Sequence, residues 1–470
     1  MKARIGQTKS QAVAEGLLRA IREGAYPDGR LPGRRELESQ FRVSRPTVEA
    51  ALAALERDGW IRTGPRTRPE ILAGPGGFED KLSGFLAGSG FREPSADGAF
   101  ARQDLGAGEG ADSGAVALST LCDEHWDGHL NADIELSAVV EALRLYRKGE
   151  SRMFATAGSP ELREAVCAHA AKEGIRATPD EVFIVSRRLQ AYRALSDVLL
   201  GRGTELWYPA VSLIRFYGVG ERHASPRREL AVSEAGEVDL DPFLASGRRR
   251  VLMLEPEHAK PLGGTVSEPE RRTLAEAARR SGALVVEDGY CRLMYESPPA
   301  PIAAFDPGHE SVIHIGALPV WLTPLGCFNY IIANARLVRL LRAAGRRDYL
   351  NPGILSQLAG ERIFATGRLE EMLRRFRPFH EKRIREADAV LREAFWDRFS
   401  WRIPSGFGCV WLDLGETNLR KLYRTRRAVD FQPGWFYGEK DARHALLRYT
   451  MPIATFREGV ARLRAAIDAL

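Results

Sequence analysis

Short apolar runs that alternate with helical stretches constrain the fold of this 470-residue chain most strongly. They lie at residues 182–185, 203–208, 250–254, 283–288 and 312–315. Continuous apolar runs separated by helices are typical of strands that a parallel sheet buries on both faces. The sequence from about residue 115 onward therefore predicts an α/β body with a mostly parallel sheet.

A different pattern occupies residues 10–72. Apolar residues recur at helical spacing in three stretches, and Ser44 is placed as an N-cap ahead of Pro46 in the first turn of the third. Two short strands, at 60–62 and 69–72, flank a polar tip at 63–68. Three helices followed by a two-stranded wing predict a winged helix-turn-helix over residues 1–74.

The positive charge of the chain is concentrated in this head. Residues 1–74 hold 14 Lys and Arg against 9 Asp and Glu, a balance of +5. The remaining residues hold 54 against 53, and the two parts sum to the net charge of +6. A basic domain on a nearly neutral body indicates a polyanionic partner for the head alone.

Residues 28–37, 43–48 and 51–60 resemble the GntR family of bacterial regulators in turns, caps and apolar positions. The resemblance implies that the third helix enters the major groove of double-stranded operator DNA with Arg45 and Thr47 at base edges. It also places arginines at the start of the second helix, while the wing tip suits phosphates or the minor groove. The predicted DNA-binding residues are Arg34, Arg35, Ser44, Arg45, Thr47, Arg66 and Arg68.

Residues 75–114 contain 10 glycines in 40 positions and little apolar periodicity, which predicts a flexible linker. The five cysteines are scattered with no C-x-x-C pair, so neither a zinc site nor a disulfide framework is indicated. No signal-peptide pattern and no long apolar run are present, and a cytoplasmic location is expected.

Several segments of the body resemble MocR-type regulators, which join a GntR head to a fold-type I aminotransferase-like body. They are residues 158–166, 208–209, 256–263, 287–290, 433–438 and 447–449. The resemblance implies a large α/β domain, a smaller C-terminal α+β domain and a homodimer built through residues 115–470.

The segment 312–330 resembles the strand and loop that carry the pyridoxal-phosphate lysine in this fold. The family pattern S-x-S-K-x-x-x-P-G-x-R places its two serines at Ala317 and Pro319, its lysine at Val320 and its arginine at Cys327. A Schiff base needs a primary amine, and valine has none. The resemblance therefore implies no covalently bound cofactor, and pyridoxal 5'-phosphate only as a weak non-covalent ligand.

Other positions of the cofactor site are retained by the same resemblance. It assigns Asp288 to the pyridine nitrogen, Tyr290 to the ring hydroxyl, Tyr208 to the cofactor pocket and Arg448 to a substrate or effector carboxylate. The phosphate-binding turn is altered to the segment 186–189, where two arginines are interpreted as surface or interface charges.

The sequence therefore predicts a regulator that is not an enzyme, with a degenerate body that dimerises and senses a small anionic or carboxylate effector. Two alternatives remain open. One is a pyridoxal-phosphate-binding regulator or aminotransferase that uses non-covalent cofactor or the displaced amine of Lys260, a loop lysine expected to be solvated. The other is a purely structural dimeriser with a collapsed pocket.

Overall fold

The structure is a computed structural model. It describes residues 8–22, 25–57, 60–64, 67–71, 116–117, 130–147, 157–348, 351–406, 408–424, 429–440 and 442–470. The chain forms two compact units, residues 1–88 and 89–470, and each is described separately below. The predicted linker at 75–114 lies outside the described residues.

The first unit contains three helices and a two-stranded antiparallel sheet. They are α1 (Lys9–Arg22), α2 (Arg34–Phe41), α3 (Arg45–Arg57), β1 (Ile61–Arg62) and β2 (Glu70–Ile71). The core is formed by Leu17, Leu37, Val48 and Leu52, which recur at helical spacing on the inner faces of the three helices. This is the winged helix-turn-helix that the sequence predicts.

A seven-stranded sheet forms the centre of the second unit, in the order β4-β10-β9-β8-β7-β5-β6. Its strands are β4 (Val182–Val185), β5 (Glu205–Pro209), β6 (Arg227–Leu230), β7 (Arg250–Leu254), β8 (Leu284–Asp288), β9 (Val312–Leu318) and β10 (Phe328–Ile332). Only β10 runs antiparallel to its neighbours. The prediction of a mostly parallel sheet is confirmed, because apolar runs such as β7 are buried on both faces.

Helices cover this sheet and connect its strands. The longer ones are α4 (Ala132–Arg147), α5 (Pro160–Lys172), α6 (Arg188–Leu199), α9 (Glu268–Ser281), α10 (Ala335–Asp348), α11 (Ile354–Ala365) and α12 (Arg368–Phe395). Two short helices, α7 (Leu213–Phe216) and α8 (Asp241–Ala245), follow β5 and β6.

The C-terminal part forms the smaller α+β domain that the resemblance implies. Its four-stranded antiparallel sheet has the order β11-β12-β15-β14. These strands are β11 (Ser400–Arg402), β12 (Cys409–Asp413), β14 (Gln432–Pro433) and β15 (His444–Arg448). The helices α13 (Leu419–Arg424) and α14 (Ile453–Asp468) accompany it, and β13 (Val429–Asp430) pairs in parallel with β3 (Val116–Ala117).

The observed strands differ from the predicted ones mainly at their ends. β9 continues to Leu318, three residues beyond the predicted run, because Gly316 and Ala317 keep pairing with β10. A Cβ at Gly316 would lie within 2.1–2.3 Å of the Tyr330 ring, so only glycine fits there. Within the described residues, no helix has the length and apolar character to cross a membrane.

Candidate DNA-binding face and candidate cofactor pocket

The start of α3 carries the residues predicted to contact base edges. The Ser44 carbonyl accepts hydrogen bonds from the backbone N–H groups of Thr47 and Val48, which begins the helix. The hydroxyls of Ser44 and Thr47 lie 2.9 Å apart, and Arg45 beside them has 66% of its side chain exposed. The inner face of α3 is buried in the core, so its first turn points these polar groups outward.

Glu49 joins the two predicted arginine positions of the head. Arg34 Nε lies 2.8 Å from Glu49 Oε1, and Arg45 Nε lies 3.9 Å from the same oxygen. Arg35, next to Arg34, is exposed. An acidic residue between two arginines fixes their direction before any DNA is present, at the cost of competing with phosphate for them.

Of the two arginines predicted at the wing tip, the structure describes one. Arg66 lies outside the described residues. Arg68 donates from Nε to the Leu31 carbonyl at 3.0 Å and from Nη2 to the Arg30 carbonyl at 3.3 Å, and Nη1 lies 3.1 Å from Asp28. These contacts tie the wing to the loop before α2, so Arg68 has a structural task that the sequence did not indicate.

In the body, the carboxyl ends of the parallel strands bring together the residues assigned to the cofactor. Tyr208 lies at the end of β5 and Asp288 at the end of β8, both buried. The Tyr290 backbone N–H donates to Asp288 Oδ1 at 3.0 Å. Open α/β sheets bind their ligands at the carboxyl ends of the strands. The residues that the resemblance assigns to the cofactor therefore lie where this type of sheet binds a ligand.

Arg188 also lies at this edge, and its burial shows that the interpretation of the two arginines at 187 and 188 as surface or interface charges is wrong for Arg188. It is the first residue of α6, which follows β4, and it is 5% exposed, whereas Arg187 is exposed. Its guanidinium carbon lies 4.1 Å from the centroid of the Tyr290 ring, and its Nη1 lies 3.5 Å from Asp288 Oδ2. Arg188 thus contacts both residues assigned to the pyridine ring.

A second carboxylate completes this buried group. Glu255, directly after β7, lies 3.1 Å from Arg188 Nη1, and Tyr192 donates its hydroxyl to Asp288 Oδ2 at 2.5 Å. Burial acts to lower the pKa of Arg188, but Asp288 together with Tyr217, Glu255 and Tyr192 outweighs it and raises that pKa well above its ordinary value. Burial raises the pKa of Glu255 to about 8, against the opposing charges of Arg188 and Lys260.

Lys260 is not the solvated loop residue that the sequence predicts. It is 2% exposed, and its backbone N–H donates to Glu255 Oε2 at 3.3 Å. The loop after β7 folds back over the sheet edge and carries the lysine inward. The buried group, here called the charge cluster, therefore consists of Arg188, Lys260, Glu255, Asp288 and Tyr192.

The remaining predicted positions lie near this edge or in the other domain. Val320 is half-buried in the turn that follows β9, and Cys327 Sγ is 3.2 Å from the Pro324 carbonyl oxygen in the same loop. Arg448 is buried at the end of β15, in the four-stranded sheet of the smaller domain.

Sequence reasoning missed Arg188, Tyr192 and Glu255 as parts of the pocket. The sequence did contain a signal for Arg188. This residue lies three positions after a fully apolar strand, where the chain has just left the carboxyl edge of the buried sheet. An arginine at that point enters the pocket unless the helix turns it outward, as it does for Arg187.

A separate polar cleft of about 560 Å³ lies between the loop after β7 and α12. His258 and His380 line it, and the ring of His258 stacks on Tyr295 with centroids 4.1 Å apart. Burial, assisted by the neighbouring His380, lowers the pKa of His258 to about 4, and burial lowers the pKa of His380 to about 4. The charged groups facing these rings are Glu296, Glu370, Arg374, Arg377 and Glu381.

Comparison with known proteins defines the class of each unit. The gntR family of bacterial regulatory proteins matches residues 9–68, so the head belongs to that family. The body has the fold of an aminotransferase from Thermococcus profundus that takes several substrates. That match has a TM-score of 0.66 and 22% identity over 76% of this chain and 92% of that structure.

A second structural match is the α-aminoadipate aminotransferase of Thermus thermophilus in complex with a phosphopyridoxyl-leucine. Its TM-score is 0.64 at 22% identity, covering 76% of this chain and 93% of that structure. A likeness at this level of identity establishes the fold alone. A gntR head on an aminotransferase-fold body is the organisation of MocR-type regulators.

Two curated relatives extend this similarity along most of the chain. The HTH-type transcriptional regulator NorG of Staphylococcus aureus is 21% identical over 88% of this chain and 93% of its own length. The uncharacterised HTH-type transcriptional regulator YdfD of Bacillus subtilis is 24% identical over 94% of this chain and 92% of its own. Along most of its length the chain is therefore similar to proteins named as bacterial transcriptional regulators.

The two cleft histidines make stability fall with acidity. Their depressed pKa values keep both rings neutral in the folded protein, whereas the unfolded chain protonates them near pH 6.5. Between about pH 6.5 and 4 the unfolded state binds more protons than the folded state. By about pH 4 each histidine therefore lowers the free energy of unfolding by on the order of 3 kcal/mol. Thermal unfolding measured across this window should show the loss.

The histidine contribution is separated from other acid effects by substitution. We expect His380→Asn to flatten the fall of the unfolding midpoint with decreasing pH, even if it lowers the midpoint at neutral pH. Met294→Asn, which changes a non-titrating side chain of the same cleft, serves as the control and should leave the slope unchanged. Equal slopes for the wild type and His380→Asn would contradict the assignment.

Proposed function

We propose that this chain is a DNA-binding transcriptional regulator whose aminotransferase-fold body has lost pyridoxal chemistry and serves dimerisation and effector sensing. The observation that carries the proposal is the engagement of Asp288 by Arg188 and Tyr192. A carboxylate assigned to a cofactor nitrogen is then already paired within the chain. The operator as partner also favours action in the cytoplasm, where a bacterial chromosome lies.

The residues of the pocket do not fit pyridoxal phosphate. Val320 in the turn after β9 has no amine for a Schiff base. The Tyr290 ring face is covered by the Arg188 guanidinium, and the glycine of the family's phosphate-binding turn is replaced by Arg187. We therefore assign no enzymatic activity to the body and no covalent cofactor.

Lys260 gives the alternative its best support, because it is buried beside the same edge. Its positive charge, however, acts on Glu255 within the charge cluster. The backbone N–H of Lys260 also donates to Glu255 Oε2 at 3.3 Å, which holds the lysine within the cluster. The cofactor-binding alternative through Lys260 therefore requires a rearrangement of the cluster, and we place it second.

Dimerisation through the body is supported by an exposed apolar surface on α4. Six of the eight large apolar residues that are exposed within the described part of the chain lie on α4 or beside it. This surface, here called the α4 face, consists of Leu130, Leu136, Val140, Leu143, Tyr146 and Leu325. The Leu325 N–H donates to Glu135 at 2.6 Å, which holds its loop against α4. A continuous apolar face of this kind marks an interface, and we propose a second copy of the chain as its occupant.

Arg448 is the group that we assign to effector recognition. A guanidinium presents paired donors that match a carboxylate, and Arg448 is buried at the end of β15. Effectors with a carboxylate or another small anion are therefore the first class to screen by thermal shift, because a ligand that binds only the folded state raises its stability.

Operator binding by the full chain tests the function. Selection from a random duplex library should enrich a defined site without added pyridoxal phosphate. Arg45→Ala should then cost on the order of 1–3 kcal/mol and relax base preference at one position, as expected for a side chain at a base edge. Arg66→Ala should weaken binding to all sequences about equally, as expected for a phosphate contact.

Arg68 provides the matched control, because it holds the wing by contacts within the head. Arg68→Ala should lower the thermal stability of the head together with its DNA affinity, whereas Arg45→Ala should leave stability unchanged. A loss of base preference in Arg68→Ala, with none in Arg45→Ala, would show that the recognition surface has been misassigned.

A charge in the α4 face tests the dimer. We expect the full chain to sediment as a dimer at micromolar concentration and Leu143→Glu to sediment as a monomer, because a buried unpaired carboxylate is costly. Operator affinity should fall at least about tenfold with the loss of the linked second head. Trp396→Glu changes a side chain that is 68% exposed outside this face and should remain a dimer. A dimeric Leu143→Glu protein would exclude the α4 face as the interface.

A further inference from the structure

We propose that Arg188 is an internal occupant of the cofactor pocket, and that it excludes pyridoxal phosphate independently of the missing lysine. This inference rests on the proposed function, since it explains how a body without cofactor keeps its pocket closed. It assigns to Arg188 a specificity-determining role: the side chain takes the contacts that a pyridine ring would need.

The position of Arg188 follows from the start of α6. Gln190 accepts a hydrogen bond from the Arg187 N–H at 3.0 Å, a contact that fixes the first turn of the helix. Arg188 becomes the first helical residue and lies at the carboxyl edge of the sheet. Glycine is the residue that lets backbone N–H groups approach a phosphate at such a turn, and here two long side chains take its place.

The guanidinium covers the ring face of Tyr290. At 4.1 Å from the ring centroid, it is at the distance of a cation–π contact, and no planar ring fits between the two groups. Tyr217 lies on another side of the same guanidinium, 5.9 Å away. Because Arg188 lies over Tyr290 and its Nη1 is 3.5 Å from Asp288 Oδ2, a pyridine ring that is to reach Asp288 must first displace Arg188.

Arg188 has acidic partners within the chain, without any ligand. Its Nη1 lies 3.5 Å from Asp288 Oδ2 and 3.1 Å from Glu255 Oε1, and all three residues are buried. A positive charge at a helix N-terminus is disfavoured by the helix dipole, so the two carboxylates must hold Arg188 there. In return Arg188 meets Asp288 where a protonated pyridine nitrogen would otherwise do so. Displacing Arg188 would bury its charge elsewhere or expose it and leave Asp288 unpaired, which is costly.

The absent lysine and the inserted arginine are thus two separate obstacles to the cofactor. Restoring the amine alone leaves Tyr290 and Asp288 engaged by Arg188. Removing Arg188 alone opens the ring site but supplies no amine at position 320. Only the combination provides both a place for the ring and a nucleophile for its aldehyde.

The test compares four full-length proteins: the wild type, V320K, R188S and the double variant V320K/R188S. Each is incubated with pyridoxal phosphate and then reduced. If the pocket admits the aldehyde, the introduced amine condenses with it and releases water, and borohydride reduces the C=N bond to a stable secondary amine. Mass spectrometry of peptides then measures the modified fraction at position 320.

We expect at least about tenfold more modification at position 320 in V320K/R188S than in V320K. The matched control is V320K/R187S, which removes the exposed neighbouring arginine and should behave as V320K does. Equal modification of V320K and V320K/R188S would overturn the inference, and so would the absence of modification at position 320 in a folded V320K/R188S protein.

A second measurement keeps the test decisive if the double variant folds poorly. R188S should unfold at a lower temperature than the wild type, because Asp288 and Glu255 lose a buried partner, and pyridoxal phosphate should raise the midpoint of R188S while leaving that of the wild type unchanged. The same shift in both proteins, or in neither, would overturn the inference.

The failure of the proposed function would look different. Modification of wild-type protein at Lys260 would contradict the cofactor-free body, whatever the behaviour of position 320. Modification at position 320 in V320K that equals that in V320K/R188S would contradict only the role of Arg188. Operator binding by wild type without cofactor, measured on the same preparation, keeps the two conclusions apart.

Discussion

The Asp288 carboxylate lies at the end of a strand that is buried on both faces, so it needs a cationic or hydrogen-bonding partner whenever the body is folded. Arg188 and Tyr192 fulfil that need from the first two turns of one helix, 100 and 96 residues earlier in the chain. Breaking a buried ion pair from one side leaves a charge that water cannot reach. The pair therefore fixes the start of α6 against the sheet as much as it fixes the chemistry of the pocket.

The pairing of Arg188 within the charge cluster accounts for how a body without aminotransferase chemistry, as we propose, can keep an aminotransferase fold. A site built to receive a charged ligand is left with buried groups that only the ligand can pair, and such a site is weakened when the ligand is absent. Here Arg188 has both Asp288 and Glu255 as partners inside the chain. Such a pocket does not need a ligand to pair its buried groups, which fits the proposed role of the body in dimerisation.

The fold could be predicted from the sequence because the patterns that indicate its strands and helices are local. The apolar runs of β4 and β7 were placed to the residue, since a strand buried on both faces leaves no polar interruption. The head could be predicted for the same reason, since its caps, turns and apolar spacing agree over a short stretch of sequence. The end of β9 was not predicted, because it depends on pairing with β10, which lies in another segment of the chain.

The pocket could be predicted only in part, because its decisive contacts join residues that are far apart in the sequence. Asp288 and Tyr290 were placed by their motif, but the partner of Asp288 was not, since an arginine beside an exposed arginine resembles a surface pair. Whether a long cation is buried depends on carboxylates that face it after folding, in this case Glu255 and Asp288. Lys260 was misjudged in the same way. Val320, at the position that the resemblance assigns to the lysine, is one residue of the sequence. The cluster that we propose fills the pocket comes from the ends of two strands, a loop and a helix, and only the folded chain brings it together.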